Sequence, residues 1–175
     1  YIFEVAIMGV EHRIRLNRMT QITQSVAALK GKAVEVGIFG GEQGWLAQIH
    51  EYGCSIPVTP KMRKYLASTG LHLKASTTAI TIPERAFLRN GYEKSKEETM
   101  ALISDLINAM VDGGLDGTTL LEALGTNLEG KIKEYATSQV EPGLHPYTIE
   151  HRKNGGTNPL NDTGSMIGAI SHRIV

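Results

Sequence analysis

At 175 residues the chain has room for one domain with a real core, and its 41% apolar and 21% charged content is that of an ordinary folded protein. Eighteen basic residues balance eighteen acidic ones, so the formal charge is zero, which argues against a protein whose main task is gripping a phosphate backbone. A single cysteine, Cys54, excludes an internal disulfide and a multi-cysteine zinc site and fits synthesis in the cytoplasm, and no apolar run approaches the roughly 20 residues of a membrane helix.

The sequence opens on Tyr1 rather than methionine, so the numbering is expected to begin inside a longer gene product. Met19, Ile22, Val26 and Leu29 at helical spacing, with Gly31 as a stop, predict a helix from Leu16 to Lys30. The alternation from Val34 to Phe39 predicts a half-buried strand, broken by Gly40-Gly41. Trp45, Leu46, Ile49 and Tyr52 give one face of a helix from Glu42 to Tyr52. Thr59-Pro60 reads as an N-cap followed by proline at the first helical position, opening a helix from Lys61 to Ser68. Leu71 to Leu73 and Ala79 to Ile82 read as short strands joined by a Ser/Thr-rich turn.

After Pro83 a long helix is predicted from Glu84 to Val111. Its stripe is Met100, Ile103, Ile107 and Met110, with Leu102 and Leu106 beside it, and Asp112-Gly113-Gly114 ends it. The spacing of Thr119 and Glu122 suits a capping box, opening a helix from Thr119 to Val140. Leu121, Leu124, Leu128, Ile132 and Tyr135 form its expected buried stripe, and the short Gly-rich link makes the two helices antiparallel neighbours. Residues 142–161 are rich in Pro, Gly and Asn, with one helical turn expected around Tyr147 to Arg152; so long an irregular stretch is usually functional or orders on a partner. A helix from Ser165 to Ile170 and an edge strand from Ser171 to Val175 close the chain. The expected fold is a single α+β domain, a small mixed or antiparallel sheet packed by several helices with long docking loops. Its segments are 1–32 (helical), 33–141 (core), 142–161 (extended docking loop) and 162–175 (helix and strand).

Several motifs imitate catalytic sites. Asp162-Thr163-Gly164 matches the aspartic-protease tripeptide, whose paired carboxylates share a proton across a dimer. That fold needs most of its chain after the aspartate, and eleven residues follow Gly164. Asp162 or Thr163 is better read as a helix cap. His50-Glu51 with Cys54 imitates a zinc-hydrolase helix, but cysteine replaces the second histidine, Gly53 breaks the helix, and no third ligand stands out. Gly37 to Gly44 lies between strand and helix like a phosphate loop, yet lacks Gly-x-Gly-x-x-Gly and a following Lys-Ser/Thr. His145, His151 and His172 show no ligand spacing. Arg85 and Arg89, one turn apart, could with Arg152-Lys153 contact carboxylates or phosphate, or simply form a solvated face. No catalytic, cofactor or metal residue is assigned.

Four separated segments carry a family resemblance. They are Val34 to Phe39 running into Leu46-Ala47-Gln48-Ile49-His50-Glu51-Tyr52-Gly53; Ile82-Pro83-Glu84-Arg85-Ala86-Phe87-Leu88-Arg89; Tyr147-Thr148-Ile149-Glu150-His151-Arg152-Lys153; and Asn158-Pro159-Leu160-Asn161-Asp162-Thr163-Gly164. In this order they resemble the tailed-bacteriophage neck and tail-completion proteins, also called virion-morphogenesis or minor tail proteins. The likeness spans about residues 33 to 175. Ala86 stands where the family usually has proline, Cys54 to Thr81 is a longer insertion, and Pro142-Gly143-Leu144-His145-Pro146 follows the family's approach only loosely.

The resemblance implies a non-enzymatic virion protein at the head–tail junction, made in the host bacterial cytoplasm. It implies a homo-oligomeric ring of six or twelve copies against adjacent neck, connector and tail-tube or terminator proteins, with no cofactor, no membrane and at most incidental DNA contact in the channel. Neck, tail-terminator and head-closure positions all fit. Arg85, Arg89, Tyr147, Arg152, Lys153, Pro159 and Leu160 are the candidate assembly residues, with Asp162 and Thr163 as the cap. The alternative is a virion-associated hydrolase, Asp-Thr-Gly protease-like or metal-dependent. Neutral net charge suits a subunit that packs against its own copies.

Overall fold

The computed structural model describes residues 18–138, 140–152 and 155–175. The chain is mixed α and β. A helix over residues 18–29 (α1) leads to β1 (Val34–Gly37), α2 (Gly41–Tyr52), β2 (Cys54–Pro57), α3 (Pro60–Ser68) and β3 (Ala79–Ile82). Then come α4 (Phe87–Val111), α5 (Gly117–Thr137), α6 (Pro146–Glu150), α7 (Ser165–Gly168) and β4 (Ser171–Ile174). Among the described residues there are two separate two-stranded sheets, β1 with β4 and β2 with β3. The expected start of the first helix at Leu16 lies outside the described residues.

The chain gathers into two compact units, each built from separated stretches of sequence. One holds the chain up to Val36, Ser95–Glu129 and His172–Val175; the other holds Gly37–Lys94 and Gly130–Ser171. In the first unit, Met110, Leu120 and Leu121 form a buried cluster against Leu29, Val34, Leu106, Leu115 and Ile174. Ala33 and Val175 exchange both backbone hydrogen bonds (2.8 and 2.9 Å), which fixes β1 and β4 as an antiparallel pair. The α5 helix begins at an Asp116 cap rather than at the expected Thr119–Glu122 box. The Asp116 carboxylate accepts from Thr118 N (2.9 Å), Thr119 N (3.0 Å) and the Thr119 hydroxyl (2.8 Å). Those bonds, led by the ones from Thr119, hold its pKa below the usual carboxylate range.

The same unit clips β4 onto α5. His172 meets Glu129 through Nδ1 (2.8 Å) and Glu122 through Nε2 (3.1 Å). Its ring lies so close over Gly125 that any Cβ there would strike it, which is why α5 carries glycine at mid-helix.

In the second unit β2 and β3 pair antiparallel, Cys54 opposite Ile82 through Pro57 opposite Ala79. β2 was not legible in the sequence, because Cys-Ser-Ile-Pro has one strong strand former. The expected strand Leu71–Leu73 is absent, for a visible reason: the Arg63 guanidinium takes the carbonyls of Leu73 (3.1 Å), Lys74 (2.9 Å) and Thr77 (2.6 Å). The predicted Thr59 cap is present, its hydroxyl accepting from Met62 N at 3.1 Å.

The helix faces also differ from the expected ones. On α2 the buried residues are Gly44, Ala47 and Glu51, while Trp45 and Tyr52 are 65% and 67% exposed. On α4 the buried positions step by four, Phe87, Gly91, Ser95 and Thr99, and then Met110; Met100 and Ile107 from the predicted stripe are exposed. Small side chains win these positions because they admit close approach, as at Gly91, where a Cβ would sit 3.4 Å from Ile132. On α5, Leu121, Leu128 and Ile132 are buried as expected, whereas Leu124 is half-buried.

Candidate functional site

Apart from Val34–Val36, the described residues of the resembling segments lie in the second unit. Because α2 turns Gly44, Ala47 and Glu51 inward, Glu51 arrives at the start of α4, where the first backbone N–H groups have no helical partner. Its carboxylate accepts from Leu88 N (2.9 Å), Arg89 N (3.2 Å) and Arg89 Nε (2.9 Å). Arg89 Nη2 returns to the Glu51 carbonyl (2.9 Å) and to Glu84 (2.6 Å), so one side chain from a distant helix caps α4 and anchors its first turn. Gly53 ends α2 at φ 70°, ψ 171°, and a Cβ there would lie 2.8 Å from both Glu84 N and Ile82 O.

Arg85 lies before α4 rather than on it, and is buried. Its N–H donates to His50 O (2.8 Å), Nε to Pro142 O (2.9 Å), Nη2 to Gly143 O (3.3 Å), and Nη1 lies 3.1 Å from His50 Nδ1. Burial first, then the Arg85 and Arg152 charges, push the His50 pKa down to about 4. The imidazole is therefore neutral near pH 7, with Nδ1 accepting from a guanidinium, an arrangement that disfavours a metal ion at that nitrogen.

This shift carries a pH prediction. Unfolded His50 titrates near its ordinary value and the folded form near 4, so its contribution is complete above about pH 6.5. It is lost as pH falls through 4. Since the ring is partly solvated, the loss should be about 1–2 kcal/mol rather than the full value of the shift. His172 acts in the opposite sense: its hydrogen bonds to Glu129 and Glu122 raise its pKa, so its contribution is present below the ordinary value and lost as pH rises through the folded one. Denaturant melts between about pH 4 and 8 should show the acid arm shrinking in His50→Asn; an unchanged acid arm would remove His50 as its cause.

Between Arg85 and α4, Ala86 adopts φ 45°, a left-handed conformation that breaks the chain before the helix. Proline, locked near φ −65°, cannot take it, so the turn is built differently from that of the resembled motif. Ala86→Pro is expected to lower stability by more than about 1 kcal/mol in spite of matching that motif. A variant as stable as the parent in thermal melts would show that the turn can be rebuilt with proline.

The described residues of 142–161, the expected docking loop, make hydrogen bonds within their own unit. Arg152 Nη1 donates to the carbonyls of Gly156 (3.1 Å), Asn158 (2.6 Å) and Asn161 (3.3 Å), and Nη2 to Pro159 (3.4 Å). Asn158 Nδ2 caps the end of α5 through the carbonyls of Ala136 (3.0 Å), Thr137 (3.1 Å) and Ser138 (2.7 Å). The Tyr147 hydroxyl donates to the Thr69 hydroxyl (2.6 Å), and its ring stacks on His151. Pro159 and Leu160 are buried.

Arg85, Pro159 and Leu160 are thus buried, and Arg152, half-buried, places its guanidinium on backbone carbonyls. Arg89 keeps a side chain 53% exposed, Tyr147 is half-buried, and Lys153 lies outside the described residues. Neither Asp162 nor Thr163 holds the N-cap position of α7. Gly164 does, at φ 79°, with the Thr163 hydroxyl 3.4 Å from Ser165 N and the Asp162 carboxylate 3.8 Å from Arg152 Nε. A cleft of about 270 Å³ opens here, lined by Gln43, His50, Arg152 and Asp162 among others. In the sequence, His50 and Glu51 are legible only as an imitation of a zinc-hydrolase helix, and neither Glu51 nor Asn158 as a helix cap. The signal for Glu51 was its place at helical spacing from Gly44 and Ala47, on a small-residue face.

Among the described residues no group of three or more His, Cys, Asp or Glu could hold a metal ion, and no helix is long and apolar enough to cross a membrane. No family model, curated protein or solved structure matches the chain.

Proposed function

We propose that this chain is a non-enzymatic structural protein of a tailed-phage virion, a ring subunit at the head–tail junction that completes or stabilises the neck or tail top. The reading rests on the four resembling segments. The observation that carries it is how their polar groups are used. Glu51 accepts from backbone N–H groups and Arg89, Arg85 and Arg152 donate to backbone carbonyls, and His50 accepts from Arg85. A hydrolase of this size would aim an acid, a base or a nucleophile into its cleft. Here the same residue types hold a scaffold together, which is what a ring subunit requires of them. The partners are copies of the chain in a ring of six or twelve, and the neck, connector and tail-tube or terminator proteins on either side.

The test is a phage in which this gene is interrupted. Filled heads and free tails that fail to join are expected, and a reconstruction of the complete particle should place the chain in a ring at the junction. A chain found in the capsid shell, or in no ring, defeats the reading. So does a wild-type protein that cleaves a virion protein when Asp162→Ala does not.

A further inference from the structure

The zero net charge conceals a segregation along the chain. Residues 52–83 carry Lys61, Arg63, Lys64 and Lys74 and no Asp or Glu, while residues 97–130 carry seven Asp or Glu and no Lys or Arg. Each block presents a helix face whose apolar anchors are left uncovered. On α3, Lys61, Lys64, Tyr65 and Ser68 fall at i, i+3, i+4 and i+7 and all are exposed, Tyr65 by 65%. On α4, Met100, Ile107 and Val111 lie within one narrow arc and are 58%, 42% and 44% exposed. At about 100° per residue, Glu97 falls beside this stripe, roughly 60° from Met100, while Asp112 and Asp105 lie roughly 120° and 140° round the helix. Lys61, Lys64, Glu97 and Asp105 have no ion pair among the described residues.

We infer that these two faces form a head-to-tail contact between copies of this chain, the α3 face of one copy seated on the α4 stripe of the next. Tyr65 is the anchor, an aromatic of the kind that dominates interface energetics, and Met100 offers it a polarisable sulfur. Lys61 and Lys64 then face Glu97, with Asp105 and Asp112 adding to the negative field of the same helix, which disfavours the pairing of like faces. Because the two faces differ, the contact is heterologous: every copy uses both, and a ring closes without an unpaired face. A nine-residue helix buries less than a stable interface needs, so the contact is weak in isolation and multiplies only around the ring. The inference deepens the ring-subunit reading and rests on it for its place in the particle.

Charge reversal tests it in the full chain. Sedimentation of the wild type at high protein concentration should show self-association that weakens about tenfold or more between low and high salt. Lys61→Glu/Lys64→Glu and, separately, Glu97→Lys/Asp105→Lys should each abolish it, with unchanged circular dichroism because all four side chains are exposed. An equimolar mixture of the two variants should associate again, since each reversed face then meets its complement. Tyr65→Ala should weaken association without changing net charge. A wild type that stays monomeric at every concentration, variants that associate like the wild type, or a mixture that fails to recover overturns the contact. Binding of a plain duplex DNA that only the Lys61/Lys64 variant loses, with self-association intact, would give the basic face to nucleic acid instead. The two readings fail separately: a ring seen in the particle without recovery in the mixture refutes these faces, and recovery with no chain in the particle refutes the virion role.

Discussion

Gly53→Ala is expected to cost about 3–5 kcal/mol. Gly53 sits at φ 70° and ψ 171°, a region that is essentially glycine's alone. The added Cβ would also lie 2.8 Å from Glu84 N and Ile82 O, both backbone atoms that cannot swing away as a side-chain tip would. Two costs therefore add, conformational strain and overpacking against the link into α4. The midpoint of thermal unfolding should fall by on the order of 10 °C. A loss within a degree or two of the parent would show that the turn between α2 and β2 relaxes freely and that the glycine is not required by its conformation.

Glu51→Ala should cost about 3 kcal/mol, because it strands three donors at once. Leu88 N and Arg89 N lose the carboxylate that caps α4, and Arg89 Nε loses its partner. The carboxylate is itself buried, so water does not replace it where it stood. Glu51→Gln keeps the shape and one acceptor oxygen and should lose about half as much. Hydrogen exchange gives a local readout: in Glu51→Ala the amides of Leu88 and Arg89 should exchange faster while mid-helix α4 amides keep their order of protection. Equal loss for the two substitutions would assign the effect to packing volume, and no loss would mean that the first turn of α4 is held by something else. The pair Glu51 and Gly53 gives the segment His50-Glu51-Tyr52-Gly53 a physical meaning. One residue caps a distant helix, and the other allows the chain to turn close beside it.

Much of the candidate site could be listed from the sequence but not understood there. Arg85, Arg152, Pro159 and Leu160 stood out as polar or rigid residues in a loop-rich context and were read as outward contacts. The structure adds what the sequence did not show, that both guanidinium groups are held by backbone carbonyls of their own chain. The described residues of 142–161 show the same kind of internal bonding. The stretch has few apolar anchors, yet it orders through hydrogen bonds from Arg152 and Asn158 that composition does not reveal. Ala86 shows the opposite limit, since a conformation at φ 45° leaves no trace in the identity of an alanine.

By itself the sequence determined what depends on near neighbours. Hydrophobic period and turn chemistry placed α2, α3, β3 and the long α4 and α5, and Thr59-Pro60 specified its cap, because these signals act within one or two turns of chain. Only the tertiary structure decided which faces were buried, where α4 began and how 142–161 was held. Those outcomes depend on groups dozens of residues apart: Glu51 on the first turn of α4, Arg63 on the carbonyls that would have made a strand, and Asn158 on the end of α5. A helix's apolar stripe is a local pattern, but whether small residues or large ones face inward depends on how closely the neighbouring element approaches. At Gly125 that approach, with the His172 ring over the helix, left no room for a side chain.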